Sequence, residues 1–198
     1  LGFSVTAADF VYSFRRLLDP ETAAFYSQSV IGVKHAGEII AGGRPTRDLA
    51  VTATGDLELS IRLAKPTPYF LGLLTHPSTF PVYRPAVEEH GTAFARPGRL
   101  VTNGAYVLVG WQLGSLLTLE RNPHYWDAAS VAVDRVRYHV ITEPSVEVNR
   151  YRAGELHITS NVPPEAFRQM REERPGELRV AQKLSIYYYG FNLTRPPF

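Results

Sequence analysis

Residues 103–127 read NGAYVLVGWQLGSLLTLERNPHYWD, and this stretch decides the fold that the sequence predicts. Its first two residues, Asn-Gly, tolerate positive φ and therefore indicate a turn. Residues 106–111 are rich in β-branched and aromatic side chains, which predicts a strand. The Gly-Ser pair at 114–115 allows the chain to reverse, so residues 116–121 are predicted to return as the antiparallel partner strand.

The end of this stretch, Asn-Pro-His-Tyr-Trp at 122–126, predicts the termination of the second strand. Proline offers no hydrogen-bond donor to a sheet and restricts the residue before it. Tyr125 and Trp126 then supply two large side chains with polar tips, which suit the boundary between core and water. We therefore expect Trp126 to be a buried anchor and not a ligand contact.

Short helices and strands alternate along the rest of the chain, which predicts a mixed α/β fold. A Thr-x-x-Asp capping pattern at 6–9 precedes apolar residues at helical spacing, so a helix is expected there until Asp19-Pro20. Residues 57–63 alternate apolar and polar side chains after a Gly-Asp turn, which predicts a half-buried strand. Further helices are predicted at 144–152 and 164–174, where proline stands in the first turn. Further short strands are predicted at 156–160, 178–181 and 184–192.

The stretch 96–102 contains Pro-Gly and is the most linker-like part of the chain. We place a lobe boundary there. The hairpin that ends at residue 63 is therefore expected in one packed unit, and the hairpin at 106–121 in the next.

The composition argues against several classes of function. The 198 residues are 44% hydrophobic and carry a net charge of +2, which gives no electrostatic basis for binding nucleic acid. No apolar run approaches the ~20 residues of a membrane span. The absence of cysteine excludes disulfides, thiol catalysis and thiolate metal sites. The six histidines share no metal-ligand spacing, and no nucleophile-elbow, zinc-protease or Walker motif is present. The sequence therefore offers no residues for catalysis and indicates no metal or cofactor site.

Several segments together resemble the extracytoplasmic oligopeptide-binding proteins of peptide ABC transporters, the family 5 bacterial solute-binding proteins. Besides the stretch at 103–127, the matching segments are TAADFVYSFRR at 6–16, LAKPTPYF at 63–70, VNRYRAGEL at 148–156 and YYYGFN at 187–192. The resemblance extends along nearly the entire chain. It implies a fold like that of the type II periplasmic binding proteins, present here as a partial chain. Residues 1–100 would form an extra small domain, and residues 101–198 would form part of the first lobe up to the hinge strand, without the second lobe.

The resemblance also implies a function. Such proteins capture oligopeptides outside the cytoplasm and deliver them to the membrane permease subunits of an ABC importer, without catalysis. The resemblance also implies a periplasmic or extracytoplasmic location. This expectation rests on the resemblance alone, because no signal-peptide pattern stands at Leu1. Dipeptides, nickel complexes, haem and glutathione remain alternative solutes. A sensor or interaction module on the same scaffold remains the alternative class of function.

Candidate ligand-binding residues follow from the requirements of peptide binding and from the resemblance. An extended peptide can add to a strand edge and exchange main-chain hydrogen bonds, and small polar residues and aromatic side chains complete such a site. The matching segments place these residues at the cleft: Ser160, Asn161, Lys183, Ser185 and Tyr188. The aromatic side chain of Tyr26 is a further candidate.

Two features of these candidates are open. Pleat parity places Lys183, Ser185, Tyr187 and Tyr189 on one face of the last strand and Tyr188 on the other, so either Ser185 or Tyr188 is expected to face the core. The family segment around Asn161 often has an additional residue, which leaves the register there open.

Overall fold

The computed structural model describes residues 4–182 and 185–196. Helices and strands alternate within this part of the chain in a mixed α/β fold, which confirms the predicted fold class. The chain divides into two compact units, Leu1–Val140 and Ile141–Phe198.

Within residues 4–140, the first unit contains short helices and five short strands. Its α-helices are α1 (Ala7–Leu18), α2 (Ala36–Ile40), α3 (Phe70–Leu73) and α4 (Arg84–His90). Its strands are β1 (Val51–Gly55), β2 (Glu58–Ile61), β3 (Tyr106–Gln112), β4 (Leu116–Arg121) and β5 (Arg135–His139). Short 3₁₀ turns lie at Pro20–Thr22, Ser27–Val30, Thr46–Asp48, Pro77–Thr79, Gly91–Ala95 and Ala128–Ser130.

Helix α1 organises the core of the first unit. The backbone N–H of its cap residue, Thr6, donates to the Asp9 carboxylate at 2.7 Å, which confirms the predicted capping pattern. Phe14, Leu17 and Leu18 are buried and recur at helical spacing, so that one face of the helix meets the core. Side chains from α2, β1 and the segment before α2 pack in the same cluster: Val30, Val33, Ile39 and Val51.

The five strands form two separate antiparallel sheets. Strand β1 pairs with β2, and the larger sheet has the order β3-β4-β5. In the larger sheet Tyr106 is opposite Arg121 and Gln112 is opposite Leu116, with a register shift between Leu108 and Gly110. The two hairpins predicted from their turn residues are therefore confirmed.

The linker-like stretch 96–102 does not separate the compact units. Both hairpins lie in the first unit, which ends just after β5. The Arg96 guanidinium lies 4.6 Å from the centroid of the Trp111 ring on β3, and the Asn122 side chain donates to the Thr102 carbonyl at 3.4 Å. These contacts attach the stretch to the larger sheet, so the prediction that the two hairpins occupy different packed units is wrong.

The turn after β4 is anchored by Asn122 and not by Trp126. Asn122 is only 4% exposed, whereas Trp126 is 85% exposed and meets the Tyr125 ring at 5.7 Å between centroids. The Asn122 Nδ2 group donates to the Gly104 carbonyl at 2.8 Å, and its Oδ1 accepts the His124 N–H at 3.0 Å. The expected burial of Trp126 is therefore wrong, because the backbone encloses the amide of Asn122 and leaves the indole outside.

Replacing Asn122 with alanine is expected to destabilise the protein by about 3 kcal/mol. The change removes the partner of the Gly104 carbonyl and of the His124 N–H, and each buried polar group left unpaired costs about 1–3 kcal/mol. Urea unfolding followed by circular dichroism measures the loss. The exposed Asn103 is the matched control, and Asn103→Ala should change the free energy of unfolding by less than about 0.5 kcal/mol. Equal losses in the two variants would contradict an anchoring role for Asn122.

The described part of the second unit contains two helices, α5 (Pro144–Arg152) and α6 (Pro164–Glu173). Each has proline in its first turn, as the sequence predicted. Val148 of α5 and Met170 of α6 are buried.

The strands predicted at 156–160 and 178–181 are not formed, and neither is the described part of the one predicted at 184–192. Alternating side chains favour an extended backbone, but a strand also needs a neighbour with which to exchange hydrogen bonds. The described part of the chain supplies no such neighbour to these residues.

Candidate functional site

A cavity of about 690 Å³ lies in the second unit. Two stretches outside the helices and strands, residues 157–162 and 177–181, form much of its lining. Helices α5 and α6 add the apolar side chains of Val148, Phe167 and Met170. In the described part of the chain, no backbone hydrogen bond joins the two stretches to each other. Three N–H groups of the stretches already have partners: that of Ser160 donates to Glu147, and those of Glu177 and Leu178 donate to the Arg174 carbonyl. The other main-chain groups of the two stretches have no backbone partner among the described residues, so they can bind a ligand.

Ser160 and Asn161, two of the predicted site residues, both line this cavity and are exposed. The backbone N–H of Ser160 donates to Oε1 of Glu147 on α5 at 2.7 Å. A serine hydroxyl and an asparagine amide each donate and accept hydrogen bonds, so both side chains suit main-chain groups of a ligand.

Glu177 opens the second stretch and is held by two neighbours. The Tyr151 hydroxyl donates to the Glu177 carboxylate, and Nη1 of Arg174 lies 3.2 Å from it. Two hydrogen bonds lower the pKa of Glu177 below its ordinary value of 4.5: the bond from Tyr151 contributes most, and the bond from Arg174 contributes next. The folded protein therefore favours the carboxylate. This contribution to stability is complete above the unfolded pKa and is lost as the pH falls through the lower folded pKa.

Glu147 and Tyr151 are site residues that the sequence analysis did not identify. They lie four residues apart on α5, and this spacing places them on one face of the helix. Spacing alone does not reveal which segment that face contacts, so the sequence offered no further signal.

The aromatic segment near the end of the described chain does not belong to the described cavity lining. Ser185 and Tyr188 are exposed, so neither faces a core within the described residues. The Tyr187 and Tyr189 rings meet edge to face at 5.5 Å, as expected for residues on one side of an extended segment. Lys183 lies outside the described residues.

Tyr26 lies in the first unit and is half exposed, at 52%. Its ring centroid is 4.9 Å from that of Phe25 and 4.6 Å from that of His76. Nδ1 of His76 lies 2.8 Å from Oγ of Ser78, which restrains the imidazole. His76 could not be singled out from the sequence, because it belongs to a segment far along the chain from Tyr26 and meets that ring only in the folded protein.

The chemistry that the cavity lining offers is hydrogen bonding and apolar contact. Across residues 4–182 and 185–196, no group of three or more His, Cys, Asp or Glu side chains could hold a metal ion. None of the helices in this described part is long and apolar enough to cross a membrane.

Comparison with known proteins supports the resemblance. The family model for bacterial extracellular solute-binding proteins, family 5 Middle, matches residues 2–198. The periplasmic oligopeptide-binding protein OppA of Salmonella typhimurium is 44% identical over 200 residues, which cover 100% of this chain and 37% of that protein. The chain thus spans just over a third of the length of this curated relative.

Solved structures show the same fold. The Escherichia coli murein tripeptide binding protein MppA matches with a TM-score of 0.83 and 37% identity, over 88% of this chain and 35% of that one. OppA of Haemophilus influenzae, in complex with RPPGFSPFR, matches with a TM-score of 0.83 and 38% identity, over 89% of this chain and 35% of that one. The predicted resemblance is confirmed, and the chain belongs to the family 5 bacterial extracellular solute-binding proteins.

Proposed function

We propose that this chain forms part of an extracytoplasmic receptor that binds oligopeptides and delivers them to the permease subunits of an ABC importer. The observation that carries the proposal is the cavity of the second unit. Two stretches line it, and apart from the N–H groups of Ser160, Glu177 and Leu178 their main-chain groups have no partner among the described residues. An extended peptide exchanges hydrogen bonds with such groups whatever its side chains are. The names of its relatives, an oligopeptide-binding and a murein tripeptide-binding protein, agree with this chemistry.

The residues proposed to contact the peptide are those predicted from the sequence: Tyr26, Ser160, Asn161, Lys183, Ser185 and Tyr188. For Ser160 and Asn161, the proposed peptide contact is supported by their position in the cavity lining. The half-exposed ring of Tyr26 supports a stacking contact. The other three residues are proposed on the resemblance alone.

We also propose that residues 1–100 form the extra small domain of the receptor and that residues 101–198 form part of its first lobe. The compact units divide later, after residue 140, so this assignment rests on the resemblance. A second lobe would come from polypeptide that the relatives have in addition to the part matched here. A polypeptide of the relatives' length that contains this chain is called the complete receptor below.

Native mass spectrometry of the complete receptor, purified without refolding, tests the class of ligand. We expect bound species that denaturation releases and that fragment as short peptides. Release of a dipeptide, a nickel complex, haem or glutathione would identify that solute, and not an oligopeptide, as the ligand. Stable association with another protein, and with no small solute, would favour a sensor or interaction module.

A further inference from the structure

Helix α5 directs two polar side chains toward the stretches that line the cavity. Glu147 and Tyr151 occupy one face of the helix, because they are four residues apart. Val148, which is 2% exposed, and Tyr151 both contribute to the cavity lining. One helix therefore supplies an apolar part of the lining together with two polar contacts.

Glu147 holds the first stretch, residues 157–162. Its half-buried carboxylate accepts the Ser160 N–H at 2.7 Å. A hydrogen bond to a carboxylate is stronger than a bond between neutral groups. This bond restrains the backbone at Ser160, which belongs to no helix or strand.

Tyr151 holds the second stretch, residues 177–181. Its hydroxyl donates to the carboxylate of Glu177, the first residue of that stretch. The Arg174 guanidinium pairs with the same carboxylate and lies 5.8 Å from the centroid of the Tyr151 ring. Tyr151, Arg174 and Glu177 thus form one connected group that ties the stretch to α5.

We propose that Glu147 and Tyr151 are positioning residues that fix the separation of the two stretches for a peptide main chain. This inference rests on the proposed function. A peptide that pairs with a backbone on each side must lie about 4.7–4.9 Å from each of them, the spacing of neighbouring strands. Hydrogen bonds weaken steeply when donor and acceptor move away from their preferred distance and angle. Because the two residues act on the backbone of the receptor, their removal should weaken the binding of different peptides by the same factor.

Calorimetric titration of the complete receptor with tri-lysine and with tri-alanine tests this proposal. Glu147→Ala and Tyr151→Phe should each weaken binding of both peptides by about tenfold, the equivalent of one hydrogen bond. Glu147→Gln retains an accepting oxygen and should bind both peptides within about threefold of the wild type. Glu155→Gln is the matched control, because the Glu155 carboxylate pairs with Arg150 at 2.7 Å and accepts no hydrogen bond from the described residues of either stretch. It should leave both affinities unchanged.

Hydrogen exchange of the Ser160 amide, measured without ligand, gives a second readout. Glu147→Ala should accelerate this exchange by about tenfold or more, and Tyr151→Phe should leave it unchanged. If Glu147→Ala does not fold, Tyr151→Phe carries the test. Wild-type affinities in Tyr151→Phe or in folded Glu147→Ala, or unchanged Ser160 exchange in Glu147→Ala, would overturn the proposal. A wild-type receptor that binds neither peptide would instead contradict the proposed function, and the exchange data would still decide the role of Glu147.

Discussion

Replacing Phe14 with alanine is expected to lower the free energy of unfolding of the first unit by about 3–5 kcal/mol. Phe14 is 2% exposed and packs in the cluster that includes Leu18, Val30 and Val51. The substitution removes buried apolar contacts and leaves a cavity, since a packed core relaxes only partly around a missing ring. Urea unfolding of the 198-residue chain, followed by circular dichroism, measures the effect.

Trp126→Ala is the matched comparison, because it also truncates an aromatic side chain of the first unit. Its indole is exposed, so the loss should stay below about 1 kcal/mol. A loss from Trp126→Ala as large as that from Phe14→Ala would contradict the placement of the indole outside the core.

The second large effect concerns peptide affinity. The 198-residue chain alone should bind tri-lysine about 30-fold to several-thousand-fold more weakly than the complete receptor. Closure of a second lobe would remove the peptide from water, and charge-assisted hydrogen bonds are stronger in a lower dielectric. Loss of one member of a buried charged pair costs about 2–5 kcal/mol, which corresponds to that range of affinity.

Calorimetric titration of tri-lysine into both polypeptides measures this difference. Each should first be shown to be folded and monomeric, because exposed apolar surface in the shorter chain favours self-association. Matching affinities would mean that the binding site lies wholly within residues 1–198, and the mechanism with two lobes would then be wrong.

The elements that the sequence predicted correctly are specified by residues close together in the chain. Thr6 and Asp9 form the cap of α1, and Gly114, at φ 68°, turns the chain between β3 and β4. Proline at 144 and 164 marks the first turns of α5 and α6. In each case the decisive contact or backbone preference lies within a few residues, so local sequence is sufficient.

The errors concern properties that depend on distant residues or on pairing. The aromatic character of Trp126 suggested burial. What the turn encloses is determined instead by hydrogen bonds from Asn122 to the carbonyls of Thr102 and Gly104, which precede the β3–β4 hairpin. Short strands were predicted at 156–160 and 178–181, but local sequence does not specify a pairing neighbour. Contacts of Arg96 and Asn122 likewise attach a Pro-Gly stretch that its composition alone marked as a linker.

The candidate site was predictable in part. The polar pair Ser160–Asn161 could be named because it matches a family segment, and both residues line the cavity. Glu147 could not be named, because its partner Ser160 is 13 residues away and follows an irregular connection. Tyr151 and Glu177 are 26 residues apart, and only the folded chain brings them together.

Amide hydrogen exchange of the complete receptor, with and without saturating tri-lysine, tests most directly where the peptide binds. Exchange should slow in residues 157–162 and 177–181 when the peptide is present, because main-chain groups of both stretches become hydrogen-bonded to it. Exchange in α1, whose amides are already bonded within the helix, should remain unchanged. Peptide binding that leaves both stretches unprotected, with slowed exchange only elsewhere, would contradict a binding site in this cavity.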